Sequence, residues 1–377
     1  MKEAADILFS LIRYELTGKE PPIPSPDMLD AIYTLSNRHD IAHIVGAALK
    51  KSSVGMTEEL SKKFEQKQFT AFFRYEQSKY ELERIKDVLK EEKIPFIPLK
   101  GSVLRELYPE PWMRTSCDID VLVKEDDLQS VTEALSSRLG YTVEGRGSHD
   151  IQLLSGGNIH VELHYELIEE DFVSKKVEKT LNNAWDHAFA ENGDYLYTFT
   201  DEFFTFYHMA HMAKHFTVGG GCGVRPFLDL YILSRSKKDK TGLLEENGLM
   251  PFYEASKKLS DVWFNGESHD EITKKMEKYI LDGGTFGNLK NRVTVGKAKS
   301  GNGISYVFAR LFSPYGVMKN KHPSLRKCPL LLPFFYVKRW LTPLFDGRLK
   351  KTAKELNLSA RQETNTEYSE MIKKLGI

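Results

Sequence analysis

A chain of 377 residues exceeds one ordinary hydrophobic core and indicates two or three domains, or one core with helical extensions. The composition, 41% hydrophobic and 28% charged, is typical of a folded globular protein and excludes a fibrous or disordered class. Basic and acidic residues each total 53, so the formal net charge is zero and no binding of bulk nucleic acid is expected.

Cysteine usage and the ends of the chain set the expected environment. Three cysteines without CxxC spacing predict neither a disulfide framework nor a zinc site, which fits a reducing cytoplasm. The N-terminus carries charges every few residues, so no signal peptide is expected. The apolar stretch CPLLLPFFYV (328–337) is too short to cross a bilayer, so no transmembrane segment is expected. We predict a buried or docking segment there, with a membrane-surface contact as the alternative.

Residues 1–93 are predicted to form an N-terminal helical region. Apolar residues recur at helical spacing from Ala5 to Leu16 and again behind Ser25, a candidate N-cap. Thr57 is predicted to cap a long helix that runs to about Lys93, since the segment is rich in Glu, Lys, Gln and Leu and lacks Gly and Pro.

A small mixed α/β core is predicted over residues 94–171. IPFIPLKG (94–101) predicts an edge strand that enters a turn, and DIDVLV (118–123) predicts a buried strand. Two alternating strands flank a Gly-Gly-Asn turn within 149–167, which predicts a hairpin. Residues 172–377 read as a C-terminal helical domain. The predicted fold class is therefore α+β, a small mixed-sheet core flanked by helical regions.

Two aspartates stand at the head of the predicted strand 118–123. Residues two apart in a strand point to the same face, so Asp118 and Asp120 project together, away from Ile119 and Val121. Carboxylates roughly 7 Å apart on one strand face repel each other unless a cation lies between them. Because Mg²⁺ prefers oxygen ligands and keeps substrate phosphates in its shell, we expect a magnesium site here.

The predicted hairpin supplies a third carboxylate. In HVELHYEL (160–167), the alternation places Glu162 and His164 on one face and Val161 and Leu163 on the other. We expect Glu162 to join the two aspartates as a metal ligand.

A phosphate-binding turn is expected where the first strand ends. Lys100-Gly101-Ser102 begins a helical turn, and helix starts bind phosphate through backbone N–H groups. Gly101 lets the backbone approach a ligand, and Ser102 is expected to cap the turn and bond a phosphate oxygen. Lys100 and Arg114 are expected to supply positive charge, with a surface ion pair as the alternative for Arg114.

Three histidines fall on one helical face at i, i+3 and i+7: His208, His211 and His215. Three interpretations stay open: metal ligands, partly buried structural residues, or a wall of the cleft with His211 and His215 near the acceptor. Arg225 and Asp229, one helical turn apart, are expected to form an ion pair.

The stretch PLKGSVLRELYPEPWMRTSCDIDVLV (98–123), together with VELHYEL (161–167), resembles a bacterial group usually labelled uncharacterised nucleotidyltransferase. That group lies in the superfamily related to DNA polymerase β. Its pattern is a Lys-Gly start, a Tyr-Pro, an Arg before Asp-Ile-Asp, and an acidic residue two before a His. The matching residues are Lys100, Gly101, Tyr108, Pro109, Arg114, Asp118, Asp120, Glu162 and His164. Glu162 departs from the pattern, because the group more often has Asp there.

The resemblance implies a nucleotidyltransferase of the EC 2.7.7 type. Asp118, Asp120 and Glu162 would be the catalytic acids and would hold two Mg²⁺ ions. An NTP such as ATP would bind at Lys100, Gly101, Ser102 and Arg114. Its nucleoside monophosphate would pass to a hydroxyl of a small-molecule or protein acceptor, and pyrophosphate would leave. The candidates for the substrate side are His164, His211 and His215.

Two alternatives to this activity remain open. One is another phosphate-centred transfer on the same core, kinase-like or glycosyl-phosphate. The other is a non-enzymatic nucleotide-binding or interaction protein.

Overall fold

A mixed sheet carries the predicted acids. In the computed structural model the strands are β1 (Phe96–Pro98), β2 (Asp118–Val123), β3 (Thr142–Arg146), β4 (Asp150–Leu154) and β5 (His160–His164). They lie side by side in the order β1-β2-β5-β4-β3. The β2–β5 pair is parallel and the other pairs are antiparallel. The predicted edge strand, the buried strand and the α+β class are confirmed.

The structure describes most of the chain. The described residues are 2–19, 23–167, 174–236, 238–300, 305, 307–308, 311–313, 315, 318–319, 322, 324–345 and 366–377.

The predicted hairpin is the antiparallel pair β4–β5. The amide of Ser155 donates to the carbonyl of Ile159 at 2.9 Å and closes the loop. Asn158 adopts a positive φ of 59°, a conformation that Asn tolerates better than most residues. The Ser155 hydroxyl accepts hydrogen bonds from the amides of Gly157 and Ile159, which fixes the turn. The hairpin prediction is therefore confirmed.

Helices form the N-terminal region. They are α1 (Lys2–Thr17), α2 (Leu29–Arg38), α3 (Ala42–Lys51) and α4 (Glu58–Glu91). The Thr57 hydroxyl accepts a hydrogen bond from the amide of Leu60, which confirms the predicted cap of α4. The prediction for Ser25 is wrong, because Ser25 precedes a 3₁₀ turn and its side chain makes no capping hydrogen bond.

Within the α/β core, α5 (Lys100–Leu104) follows β1, and α6 (Leu128–Leu139) lies between β2 and β3. The C-terminal part is mainly helical. Its helices are α7 (Lys175–Asn182), α8 (Asp201–Lys214), α9 (Arg225–Arg235), α10 (Gly242–Glu246), α11 (Met250–Asn265), α12 (Glu271–Gly283), α13 (Leu289–Ser300), α14 (Ser324–Lys327), α15 (Leu332–Phe345) and α16 (Thr366–Leu375). A π-helix, His215–Gly219, extends α8. The sequence analysis missed one feature, a two-stranded sheet of β6 (Ala188–Ala190) and β7 (Tyr197–Phe199).

Two hydrophobic cores meet at β2. Ile119, Val121 and Val123 point into a core shared with α4 and α6. Leu122 points the other way, into a larger core that joins the N-terminal and C-terminal helices. The acids at the head of β2 therefore lie on the face that the helices cover. The division at residues 93 and 171 stays a prediction, because a shared core does not by itself define domain boundaries.

The apolar stretch 328–337 is partly exposed. Leu330 is 89% exposed and Phe334 is 63% exposed, whereas Phe335 is 9% exposed. Burial of the whole stretch, as predicted, is therefore wrong, and its docking or membrane-surface roles stay predictions. Among the described residues, no helix combines the length and hydrophobicity that crossing a bilayer requires.

The interior of β5 generates a stability prediction. Leu163→Ala should lower the free energy of unfolding by about 2–5 kcal/mol, because Leu163 is fully buried and its loss leaves a cavity. The matched control is Val143→Ala on β3, whose side chain is 53% exposed, with an expected change within about 0.5 kcal/mol. Urea unfolding followed by fluorescence measures both. Equal losses in the two variants would contradict the assignment of Leu163 to the core.

Candidate active site

The parallel pairing of β2 with β5 brings the predicted acids together. The register places Asp118 opposite His160 and Asp120 opposite Glu162. Strand neighbours in register point to the same face, so the carboxylates of Asp120 and Glu162 lie side by side. Asp118 projects from that face two residues earlier on β2. The predicted parity of both strands is therefore confirmed.

His164 lies between two of these carboxylates. Its Nε2 atom is 3.0 Å from Oδ1 of Asp120 and 3.4 Å from Oε2 of Glu162. Burial opposes protonation of His164, but its hydrogen bonds to Asp120 and Glu162 outweigh burial and raise its pKa to about 9. At neutral pH the ring is therefore an imidazolium that offsets the repulsion between the two acids.

The two aspartates differ in their electrostatics. Burial, followed by the neighbouring charges of Asp120 and Glu162, raises the pKa of Asp118 to about 6. Burial would also raise the pKa of Asp120, but the hydrogen bond and charge of His164 outweigh it and lower that pKa. Asp118 is thus the acid whose negative charge is least compensated by protein groups.

The donor set fits a divalent cation. Among the described residues, the group close enough to hold a metal ion is Asp120, Glu162 and His164, whose ligand atoms all lie within 4.8 Å of one another. Asp118 is not part of this close group, so the predicted set of Asp118, Asp120 and Glu162 is not the set whose ligand atoms lie closest together. Asp118 adds a third carboxylate to the same face, and hard oxygen ligands suit Mg²⁺.

Helix α5 starts beside these acids. The amide of Leu99 donates to the carbonyl of Asp120 at 2.9 Å, which fixes the start of α5 against β2. The positive charge of Lys100 favours the ionised forms of Asp118 and Asp120, and its Nζ lies 4.9 Å from the ring centroid of Tyr207.

Gly101 keeps room for a neighbouring guanidinium. A Cβ at this position would lie 3.1 Å from Nη1 of Arg114. The capping role expected for Ser102 is wrong, because the N-cap residue of α5 is Leu99 and Ser102 lies inside the helix. Ser102 is absent from the lining of the cavity described below, and its role in phosphate binding stays a prediction.

Arg105, which the sequence analysis missed, ties α5 to the head of β2. Its Nε donates to the carbonyl of Gly101 at 3.0 Å, and its Nη2 donates to the hydroxyl of Ser116 at 2.7 Å. That hydroxyl in turn donates to the carbonyl of Asp118 at 3.1 Å. Arg105 is only 5% exposed. The sequence did not predict this burial, because an arginine on a short helix is usually exposed to solvent.

Arg114 forms a buried ion pair with Asp229 on α9. Nε and Nη2 of Arg114 lie 3.2 and 3.1 Å from the two carboxylate oxygens, and the hydroxyl of Tyr108 donates to the same carboxylate at 2.7 Å. Burial opposes ionisation of Asp229, but the charge of Arg114 outweighs it and lowers the pKa of Asp229. The alternative of a surface pair for Arg114 is wrong, since its partner is buried.

The predicted ion pair between Arg225 and Asp229 is also wrong. Nη1 of Arg225 lies 3.3 Å from Oδ2 of Asp40 and donates to the carbonyl of Thr115 at 2.9 Å. The two residues lie one turn apart on α9, but each has a partner on a different element. Both pairs join α9 to earlier parts of the chain.

The three histidines of α8 and the π-helix line the same cavity as the acids. Nε2 of His208 lies 3.1 Å from the carbonyl of Pro226, which gives His208 a structural contact. The Nε2 atoms of His211 and His215 lie 3.0 Å apart. Burial and the charge of Lys100 lower the pKa of His211, so that ring is neutral at neutral pH. Of the predicted histidines, His164 is the one in contact with Asp120 and Glu162.

These residues enclose one cavity of about 640 Å³. That volume lies within the range of small-molecule and cofactor sites. Nine of the ten predicted site residues line the cavity: Lys100, Gly101, Arg114, Asp118, Asp120, Glu162, His164, His211 and His215. Other lining residues were not predicted, among them Arg38, Arg74 and Phe286. They come from segments without a motif, so no sequence signal marked them.

Comparison with known families assigns the class of protein. Residues 25–247 match the family described as uncharacterised nucleotidyltransferase, which is more than half of the chain. The chain therefore belongs to this nucleotidyltransferase family, and the membership supports a transferase. No curated protein and no solved structure matches the chain.

The two ion pairs of α9 generate a prediction. Asp229→Ala should lower the free energy of unfolding by about 3–5 kcal/mol, because it leaves Arg114 buried without its counter-charge. Asp40→Ala should cost about 1 kcal/mol or less, because the side chains of Asp40 and Arg225 are 43% and 26% exposed. Urea unfolding of both variants tests the difference. A larger loss for Asp40→Ala would refute the assignment of the buried pair.

Proposed function

We propose that the protein transfers a nucleoside monophosphate from an NTP to a hydroxyl group of a small-molecule or protein acceptor, in a Mg²⁺-dependent reaction. The observation that carries the proposal is the pairing of β2 with β5. It places Asp118, Asp120 and Glu162 on the wall of a ligand-sized cavity that Lys100 also lines. Kinship with the superfamily related to DNA polymerase β is part of this proposal.

Asp118, Asp120 and Glu162 would hold the divalent cations. When bound, the cations would supply positive charge to the triphosphate and lower the pKa of the acceptor hydroxyl. The pKa of Asp118 fits this role, because burial and then the like charges of Asp120 and Glu162 raise it, so that an added cation would stabilise the ionised carboxylate. We propose two Mg²⁺ ions, as the family pattern implies.

The remaining steps belong to residues of the chain. The Glu162 carboxylate would take the proton of the acceptor hydroxyl. The acceptor oxygen would then form a bond to the α-phosphorus, the bond between that phosphorus and the bridging oxygen to the β-phosphate would break, and pyrophosphate would leave. Lys100 and the backbone at Gly101 would stabilise negative charge on the departing phosphates. We assign Ser102 no step, because it does not line the cavity.

Arg114 acts indirectly in this proposal. Its guanidinium is held by Asp229, so it contributes positive charge to the cavity wall while it fixes α9 beside the acids. His211 and His215 line the same cavity, and we propose that the acceptor binds beside them. The neutral imidazole of His211 suits hydrogen bonding to a hydroxyl group.

The proposal predicts the effect of losing one acid. Asp118→Asn and Asp120→Asn should each lower pyrophosphate release by about 100-fold or more, because a charged ligand is lost where negative charge must be balanced. Neither variant should unfold. Asp118→Asn relieves repulsion with Asp120 and Glu162. Asp120→Asn loses the ion pair with His164 but keeps an oxygen that accepts a hydrogen bond from Nε2 of His164, so its loss of stability should be the larger of the two. The assay supplies Mg²⁺, each NTP in turn and a cell extract as the source of acceptor. Thermal unfolding checks the fold.

The control is Asp126→Asn, which changes the same residue type on the exposed 3₁₀ turn before α6 and should keep wild-type release. Calorimetry with each NTP, with and without Mg²⁺, separates the enzyme from an interaction protein. Two results would refute the proposal. One is an NTP affinity of the wild type that is the same with and without Mg²⁺, and the other is full activity in Asp118→Asn or Asp120→Asn.

A further inference from the structure

Phe286 is an exposed aromatic residue on the wall of the proposed active site. It lies in the loop between α12 and α13, lines the same cavity as the acids, and is 88% exposed. A ligand bound in this cavity would cover apolar surface that is otherwise in contact with water, which favours binding. The loop lies outside the residues that match the family, which end at 247.

The backbone that carries Phe286 is packed against a second glycine-rich turn. Gly287 has a φ of +71°, and a Cβ there would lie 2.4 Å from the carbonyl oxygen of Gly219. Gly220 has a φ of +78°, and a Cβ there would lie 2.6 Å from the carbonyl oxygen of Asn288. Two main chains therefore touch where no side chain fits. This contact joins the loop to the π-helix that presents His215.

The residue before Phe286 is fixed as well. The amide and hydroxyl of Thr285 both donate to the carbonyl of Arg38, at 3.1 and 3.0 Å. Arg38 is the last residue of α2 and also lines the cavity. Because the backbone is held on both sides of Phe286, little entropy is lost when a ligand orders the ring.

We propose that Phe286 stacks on the nucleobase of the bound NTP. The inference rests on the proposed function and adds the residue that binds the base. An NTP always carries a planar aromatic ring, whereas the acceptor needs only a hydroxyl group. The acids and Lys100 belong to the α/β core, so the phosphates and the base would be bound by different parts of the chain. Stacking accepts every base, since each has a π face.

The test measures binding of two ligands in the presence of Mg²⁺, ATP and inorganic tripolyphosphate, by calorimetry on the full chain. Phe286→Ala should raise the Kd for ATP about tenfold, because base–aromatic stacking supplies binding energy of that order. The same variant should bind tripolyphosphate as the wild type does, because tripolyphosphate has no base. Phe286→Trp should keep or improve ATP binding, since its ring also stacks.

The matched control is Phe189→Ala, which removes a ring that is 53% exposed on β6 and does not line the cavity. It should leave both Kd values unchanged. An unchanged Kd for ATP in Phe286→Ala would overturn the inference while leaving the proposed function intact. An equal loss for ATP and tripolyphosphate would overturn it too, since the ring would then act on the phosphates. Failure of the wild type to bind either ligand would overturn the proposed function and this inference with it.

Discussion

The register between β2 and β5 is the constraint on which the site depends. A shift of one residue would turn Glu162 toward the buried core and bring Val161 or Leu163 beside Asp120. The apolar residues on the other face prevent that shift, because each is fully buried in the core under the sheet. The same packing that stabilises the sheet therefore places Asp118, Asp120 and Glu162 on one face, along the wall of one cavity. The imidazolium of His164 offsets part of the resulting repulsion.

The ion pairs of α9 extend this arrangement to the C-terminal helices. Arg114 reaches α9 through Asp229, and Arg225 reaches back to Asp40 at the end of α2. These contacts join α9 to the segment before β2 and to the turn after α2. The close backbone contact between Gly220 and Gly287 joins the loop that carries Phe286 to the π-helix that extends α8. Distant segments thus enclose a volume that the sheet alone would leave open.

Local sequence patterns predicted much of the fold and the residues of the acidic strand face. Alternation identified the strands at 118–123 and 160–164, and a parity argument then placed Asp118, Asp120 and Glu162 on one face. Ion-pair partners that depend on tertiary packing could not be predicted from the sequence. Helical spacing paired Arg225 with Asp229, whereas packing gave Arg225 a partner on a turn 185 residues away. Phe286 carries no motif, and its position depends on glycine contacts between two loops.

The central claim is that the three carboxylates converge on divalent cations beside a triphosphate. Crystals grown with Mn²⁺ and a non-hydrolysable NTP analogue test this most directly, because the anomalous signal of manganese distinguishes the ion from water and from lighter ions. We expect an anomalous peak within bonding distance of Asp118 and Asp120, with Glu162 beside it and the triphosphate in contact with the ion. A peak elsewhere, or a nucleotide bound without any ion at these carboxylates, would contradict the account.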